Sequence, residues 1–503
     1  MPRRDPLDLF LDSIANANST GAAMPETSYY PAISAALTAA GEMLTPKVLC
    51  LQHPSGGKGI PDFGLFEKTI FARGDAPAWI GGIKPGRGVV EVKGLSQDMA
   101  SLLAGKQVKQ DYLPVHGLVL ATNLRQWRLV DASGTRESLD LAGGTPEFWV
   151  LARGGRPDAL RQQFSDFLQR CLLWRAPLSR PQDVAFFLAS YARDALLRLD
   201  AKADLPALGT LRSALERSLG IAFDARDGEH LFRSTLVQTL FYGLFSAWAA
   251  HDHSRPFDWR AADYDLNLPV IRLLYNLIRA PQALRPLGLE PLLDAATTTL
   301  ARVEREAFFQ GFDAAHAVQY FYEPFLEFFD PKLRKQLGVW YTPPEIVEYM
   351  VERVDRVLRE ELGRPEGLAD PDVWVLDPCC GTGSYVIEVL KRIRRTLEDR
   401  GLGDLVAERL KQAATTRIIG FEIMTAPLII AHWQIGQLLR EAPLAGEERA
   451  AIYLTNSLTG WSEDSPQQPI HGFDELLNER TGADTVKRHP RILVVLGNPP
   501  YKG

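Results

Sequence analysis

Apolar residues change their spacing twice along the chain. Between residues 20 and 150 they come in short runs separated by Gly- and Pro-containing turns: KVLCLQH, DFGLFE, GVVEVKG, GLVLATN, QWRLVD and FWVLA. Such runs predict the strands of a sheet, and SYYPAISAALTAAGE, which opens the series, predicts a flanking helix. ARGGRPD (152–158) is a glycine- and arginine-rich break, and from there to about residue 330 the spacing turns helical. In PQDVAFFLASYARDALLRL, Val184, Phe187, Leu188, Tyr191 and Ala195 share one face, and Pro181 suits a helix start. Beyond residue 330, VWVLD (373–377), RIIGFEI (417–423), AIYLTNSL (451–458) and RILVVLG (491–497) are separated by helical spacers. That rhythm predicts a doubly wound parallel sheet. The pattern gives an α/β multidomain chain: an α/β domain over 1–152, a helical coupler over 153–325 and an open parallel sheet over 326–503.

Composition narrows this little. A chain of 503 residues exceeds one core, and its 46% hydrophobic and 23% charged residues are an ordinary globular balance. A net charge of −6 advertises no nucleic-acid partner, although DNA binding needs only a local basic groove. Four cysteines, two of them adjacent, suit reduced thiols in a cytosol. MPRRDPLDLF has an Asp where a signal peptide needs apolar residues, and TLVQTLFYGLFSAWAA (235–250) is interrupted by Gln238 and too short to span a bilayer. The expectation is a soluble cytoplasmic protein with no membrane partner.

Two stretches carry candidate chemistry. In VWVLDPCCGTGSYVIEVLKRI (373–393) a buried strand ends at Asp377, a tight turn carries Gly381 and Gly383, and a helix starts near Ser384. Glycines there let the backbone approach a ligand, and the helix N-terminus offers free N–H groups to a carboxylate. Glu422, at the carboxyl end of the next strand, suits ribose hydroxyls. The glycine spacing is that of neither a dinucleotide fingerprint nor a nucleotide-triphosphate loop, so no ATP is expected. Cys379 and Cys380 are expected as small packing residues.

The second stretch pairs KGIPDFGLFE (58–67) with GVVEVKG (88–94). Period-two geometry puts Glu91 and Lys93 on one face of their strand. Asp62 and Glu91 converging on one point can bind Mg²⁺, with Lys93 orienting the water that the metal acidifies. The plainer alternative is a solvated edge strand. His251 and His253 in HDHSRP are expected as exposed loop histidines with no nearby acid, and KRIRRTLEDR (391–400) as a solvated face.

In order and spacing, DPCCGTGS, GFEI and NPPY resemble motifs I, II and IV of N6-adenine DNA methyltransferases. LRKQLGVWYTPPEIVEYMV (333–351) is similar to their motif X, placed first as in the gamma class. YFYEPFLEFFDPKLRKQLGVWYTP (320–343) resembles the large single-chain type IIG and type ISP restriction–modification enzymes. The resemblance implies an incomplete Rossmann-like methyltransferase sheet that uses S-adenosylmethionine, with double-stranded DNA as partner. Tyr341, Thr342 and Pro343 would wrap the methionine end of that cofactor. Asp377, Pro378, Gly381 and Gly383 would form its main cradle, Glu422 would hold the ribose, and Asn456 would stand where the family often places an acid. Asn498 and the Pro499 carbonyl would accept hydrogen bonds from the adenine amino group, Pro500 would stiffen the loop, and Tyr501 would stack on a flipped adenine.

Pro61-Asp62 with Glu91-Val92-Lys93 looks like the PD-(D/E)xK nuclease pattern, which implies a restriction-endonuclease-like domain. Glu26 would be an additional acid, and Gln107 sits where related nucleases often carry a glutamine. The family's sheet has seven strands and only about four are readable before Gly503. A truncated or split chain, an exposed apolar edge at ILVVL and a second polypeptide are therefore expected. The competing readings are a methyltransferase without an active nuclease and a non-catalytic cofactor- or DNA-binding remnant.

Overall fold

The computed structural model describes residues 5–19, 26–54, 59–71, 84–223, 226–310, 323–330, 342–403, 405–444, 448–461, 472–489 and 492–499. The chain divides into two compact units, Met1–Pro177 and Leu178–Gly503.

The first unit opens with α1 (Pro6–Ser19) and α2 (Tyr30–Gly41), followed by β1 (Val48–Gln52), β2 (Phe63–Glu67) and β3 (Val89–Val92). Then come α3 (Met99–Ala104), a π-helical turn (Gln107–Tyr112), α4 (Leu113–His116), β4 (Leu118–Thr122), β5 (Gln126–Asp131) and β6 (Gly134–Asp140). The strands lie in sequence order in one sheet, with β3 and β4 parallel and every other pair antiparallel. A parallel pair needs a long crossover, and the helices between β3 and β4 supply it. They pack Met99, Leu102, Val108 and Tyr112 against Val89 and Val119. On α1, Phe10 meets Trp127 at 5.5 Å between ring centroids. Helices α5 (Thr145–Arg153) and α6 (Asp158–Leu173) complete the unit. It extends past the 152–158 break because α6 packs on α1, α2 and β6.

Two elements differ from expectation. FWVLA is not a strand but lies in α5, where Phe148 and Ala152, four residues apart, are the buried positions. The Gly144 N–H donates to Glu147 Oε2 at 3.0 Å, which fixes that helix start. Conversely, β6 reads GTRESLD, too polar to signal a strand, and forms through its hairpin with β5.

The second unit begins with helices: α7 (Pro181–Asp200), α8 (Gly209–Leu219), α9 (Arg226–Ala250), α10 (Pro269–Arg279), α11 (Pro281–Leu287), α12 (Glu290–Leu300), α13 (Arg305–Gln310) and α14 (Glu323–Phe329). The five α7 positions assigned to one face are all fully buried. His251 departs from expectation: it is buried, and its Nδ1 lies 2.7 Å from Asp265 Oδ2, an acid supplied by a later turn of chain. There follow α15 (Pro344–Glu360), β7 (Trp374–Asp377), α16 (Ser384–Asp399), α17 (Leu405–Thr416), β8 (Ile418–Glu422), α18 (Thr425–Leu438), β9 (Ile452–Leu454), α19 (Asp474–Lys487) and β10 (Ile492–Val495).

These four strands form a parallel sheet in the order β10-β7-β8-β9. The chain winds from β7 out to β9 and returns to the other side of β7. That reversal opens a crevice at the carboxyl ends of β7 and β10, where doubly wound sheets hold ligands. The helical segment is joined to this sheet by a 2.9 Å contact between the buried hydroxyls of Thr239 on α9 and Thr425 on α18. At the other edge of the crevice, β10 leaves Leu493 47% and Val495 66% exposed. Among the described residues no helix is long and apolar enough to cross a membrane.

Candidate cofactor cleft and carboxylate cluster

Strand β7 delivers Asp377, buried, to the floor of the crevice. The chain then turns sharply, with Gly381 at φ +56° and Gly383 at φ +90°, left-handed conformations that favour glycine. The Cys380 N–H donates to the Phe421 carbonyl at 2.9 Å, tying this turn to β8. A side chain at Gly383 would press on Ala431 of α18, whereas a Cβ at Gly381 would meet nothing within 4 Å. The turn is thus anchored behind and open in front. Cys380 is buried against Gly420 of β8 as a packing residue.

Two carboxyl groups face this turn, held by backbone donors. Asp377 Oδ1 accepts from the Cys379 N–H at 3.1 Å. Glu422 Oε1 accepts from the Ile423 and Met424 N–H groups, both at 2.7 Å. Burial pushes both carboxyls up to about 7 against these backbone donors, and the charge of Glu422 adds to the effect on Asp377.

The loop after β10 closes the crevice. A Cβ at Gly497 would fall 2.4 Å from Asp377 Oδ1, so only glycine lets the two segments meet. The next residue, Asn498, donates through Nδ2 to Thr342 Oγ1 at 3.1 Å. Thr342, Asp377 and Asn498, from three distant parts of the sequence, therefore converge. Pro343 and Pro499 are exposed beside them, while Tyr341, Pro500 and Tyr501 lie outside the described residues. Asn456 Oδ1 accepts from the Leu458 N–H at 3.0 Å, so this side chain shapes its own turn. The Pro378 carbonyl accepts from the Ser457 hydroxyl.

Sequence reasoning missed what holds Thr342 in place. Asp355 of α15, fully buried, accepts from Arg359 Nε and Arg392 Nε, both at 2.9 Å, and from the Leu368 N–H at 2.8 Å. This hub pins the helix after Thr342 to the helix after Gly383. It also gives one arginine of KRIRRTLEDR an internal task, while Arg394 and Arg395 pair with Glu441 and Glu388.

The second constellation lies in the first unit. Asp62 Oδ2 accepts from the Val92 N–H at 2.7 Å, and its Oδ1 accepts from the Tyr30 hydroxyl. Lys93 Nζ stands 2.7 Å from Glu91 Oε1 and 2.9 Å from Glu26 Oε1. Glu91 is 1% exposed on a strand flanked by β2 and β4, which overturns the solvated-edge alternative. Burial lifts the Glu91 carboxyl to about 7, with Asp62 and Glu26 adding to the rise and Lys93 opposing it. Gln107 is exposed at the start of the π-helical turn. Tyr30 and Tyr112 were missed: burial and these carboxylates raise both phenols above their usual range, and the Tyr112 hydroxyl donates to the Ile60 carbonyl at 3.1 Å. Aromatics at those positions look like core residues in the sequence. Among the described residues no group of three or more His, Cys, Asp and Glu side chains is arranged to hold a metal ion.

Residues 313–502 match the family model described as N-6 DNA Methylase. The adenine-specific methyltransferase PglX of Streptomyces coelicolor is 25% identical over 186 residues, which are 33% of this chain and 15% of PglX. A DNA complex of DrdV, solved by cryo-electron microscopy, aligns over 99% of this chain and 43% of that one, with 19% identity and a TM-score of 0.42. A nuclease-deletion mutant of the type ISP restriction–modification enzyme LlaGI, bound to a DNA substrate mimic, aligns over 64% of this chain and 24% of that one, with 21% identity and a TM-score of 0.42. The chain thus spans less than half the length of these relatives.

Proposed function

We propose that the cleft of the second unit binds S-adenosylmethionine and serves methyl transfer to N6 of adenine in double-stranded DNA. The convergence of Thr342, Asp377 and Asn498 carries this reading. It is supported by the N-6 DNA methylase match over the same segment and by the adenine-specific activity named for PglX.

The residues present fit such a cofactor. The open turn at Gly381 admits it, and the N-terminus of α16 offers N–H groups to its amino-acid carboxylate. Glu422 is held by backbone donors yet keeps acceptor capacity for ribose hydroxyls. Thr342 and Pro343, together with Tyr341, would hold the methionine end, and Asp377 and Pro378 would form its cradle. The sulfonium centre supplies an electrophilic methyl group. Asn498 does the chain's part: with Nδ2 donating to Thr342, its Oδ1 is the atom presented as acceptor. That oxygen and the carbonyl of Pro499 take hydrogen bonds from the adenine amino group and raise its nucleophilicity. By their place in the motif, Pro500 would stiffen the loop and Tyr501 would stack on the flipped base, both lying outside the described residues.

The first unit, on this proposal, is a Mg²⁺-dependent nuclease. The setting of Lys93 between Glu26 and Glu91, directly after the strand whose Val92 N–H holds Asp62, supports it. Only Asp62 and Glu91 would hold the ion, since no three-acid set is arranged among the described residues and Glu26 is taken up by Lys93; the ion would supply charge for a phosphate and acidity for a water. Lys93 would orient that water. The exposed apolar side of β10 supports a second polypeptide as partner to that edge.

Calorimetry of the full chain with S-adenosylmethionine tests the cleft: binding is expected, and its absence sinks the assignment. Cleavage of duplex DNA with and without Mg²⁺ tests the first unit. Asp62→Ala is expected to abolish cutting while cofactor binding survives, and a protein that cuts under no metal condition rules the nuclease out.

A further inference from the structure

We infer that Lys487 is a positioning residue for the adenosine half of the cofactor, acting through the loop that follows β9. The inference rests on the cofactor-cleft reading above.

Lys487 closes α19, and its side chain is wholly enclosed. An ammonium group taken out of water costs several kcal/mol unless hydrogen bonds replace its hydration. Here Nζ donates to Thr455 Oγ1 and to the Asn456 carbonyl, both at 2.9 Å. Asp484 Oδ1 lies 3.8 Å away, and the Phe421 ring lies beneath at 5.2 Å from its centroid. Both hydrogen-bond acceptors belong to one short loop, so the buried charge is used to hold that loop.

The other attachments of the loop show what it serves. The Thr455 N–H donates to the carbonyl of Glu422 at 2.8 Å. The Ser457 hydroxyl donates to the carbonyl of Pro378, in the turn after Asp377. Beyond these points the loop is internally stiff, with the Trp461 indole N–H donating to the Ser457 carbonyl at 2.6 Å. The loop therefore bridges the ends of β7 and β8, and Lys487 is its third anchor, reaching it from α19.

Direction follows from the sheet. In the order β10-β7-β8-β9, the crevice holding Thr342 and Asn498 lies beside β7, and Glu422 ends β8. A ligand with its amino-acid end beside β7 and its ribose at Glu422 would extend its base toward β9, where the loop of Thr455 and Asn456 would form the wall. Lys487 touches no ligand. It sets the wall.

The test measures binding of S-adenosylhomocysteine and of 5′-methylthioadenosine, which lacks the amino-acid half, to the full chain by calorimetry. In Lys487→Met, a side chain of similar length without the charge, both ligands are expected to weaken by the same factor of about ten, equivalent to about 1.4 kcal/mol. The thermal midpoint is expected to stay near that of the wild type, because loss of a buried charge offsets loss of its hydrogen bonds. Thr455→Val, which removes one acceptor without touching the charge, is expected to weaken both ligands by a smaller equal factor. It decides the matter if Lys487→Met does not fold. Unchanged affinities in a folded variant overturn the inference and leave the cleft reading standing. Weakening of S-adenosylhomocysteine alone overturns it too, because the lesion would then lie at the amino-acid end. A wild-type chain that binds neither ligand overturns both.

Discussion

Both candidate sites bury carboxyl groups, and in both burial lifts a carboxyl to about 7. What surrounds them differs. In the first unit Lys93 sits against Glu91 and Glu26, and the Tyr30 hydroxyl caps Asp62. In the cleft, Asp377 and Glu422 are held by backbone N–H groups, with no ion pair to either among the described residues. A cluster that carries its own cation is arranged around positive charge. On the proposed reading, a buried pair held by backbone donors suits the hydroxyl and ammonium donors of a ligand. The same lowered acidity thus stands in two kinds of setting, and substitutions separate them.

The largest effect is expected at Asn498. On the proposed reading, Asn498→Ala would remove an acceptor needed only as the amino group reacts, so methyl transfer, measured in an assembly that supports it, should fall at least about a hundredfold, or roughly 3 kcal/mol. Cofactor affinity should change less than about twofold, and a parallel loss of affinity would move Asn498 from the reacting centre to the cofactor's seat.

Next is Lys93. Lys93→Met leaves buried Glu91 beside Asp62 and Glu26 without compensation, at a cost of about 1–3 kcal/mol at pH 8, discounted for the partial exposure of the lysine. Glu91 should then hold its proton to higher pH, so the loss should shrink on acidification. Thermal melts at pH 8 and pH 5 measure this.

Glu422→Gln should act in the opposite sense. The folded carboxyl titrates near 7 and the unfolded one near 4, so between those values the folded state holds a proton that the unfolded chain has lost. Stability from this group is present at pH 4, falls as pH rises through that window, and is level above it. The variant escapes that fall. Its midpoint should exceed the wild type's by a few degrees at pH 8, on the order of 1–2 kcal/mol, and match it at pH 4. Cofactor affinity should drop about tenfold. A variant less stable at pH 8 would mean that Glu422 is compensated as Glu91 is, and the contrast between the sites would fail.

Much of this was legible in the sequence, for reasons that differ by site. Asp377, Gly381, Gly383 and Glu422 stand at strand ends and in a tight turn, where a short motif fixes local geometry whatever surrounds it. The meeting of Asn498 with Thr342 also follows from strand order, once β10 returns beside β7. Tyr30, Asp355 and Lys487 were not legible, because each acts across long sequence separations from an element whose pattern reads as an ordinary amphipathic helix. FWVLA misled for a simpler reason: five apolar residues fit a strand or a buried helical turn, and the Pro146 and Glu147 before them decided for helix.

His116 offers the smallest test and the opposite pH sign. It is buried at the end of α4, and neither ring nitrogen has a hydrogen-bond partner among the described residues. Burial, then the positive charges of Lys84 and Arg175, hold its pKa below the usual value. The unfolded chain binds a proton near pH 6.5 and the folded one only below that, so stability is complete above 6.5 and drains away as pH falls. His116→Leu, similar in volume and without a charge to acquire, should leave stability at pH 8 within about 0.5 kcal/mol and raise it by about 1 kcal/mol at pH 5. The first unit would then resist acid better while Lys93 and Glu91 keep their response. If the variant instead loses stability equally at both values, the imidazole is held by a partner rather than merely enclosed.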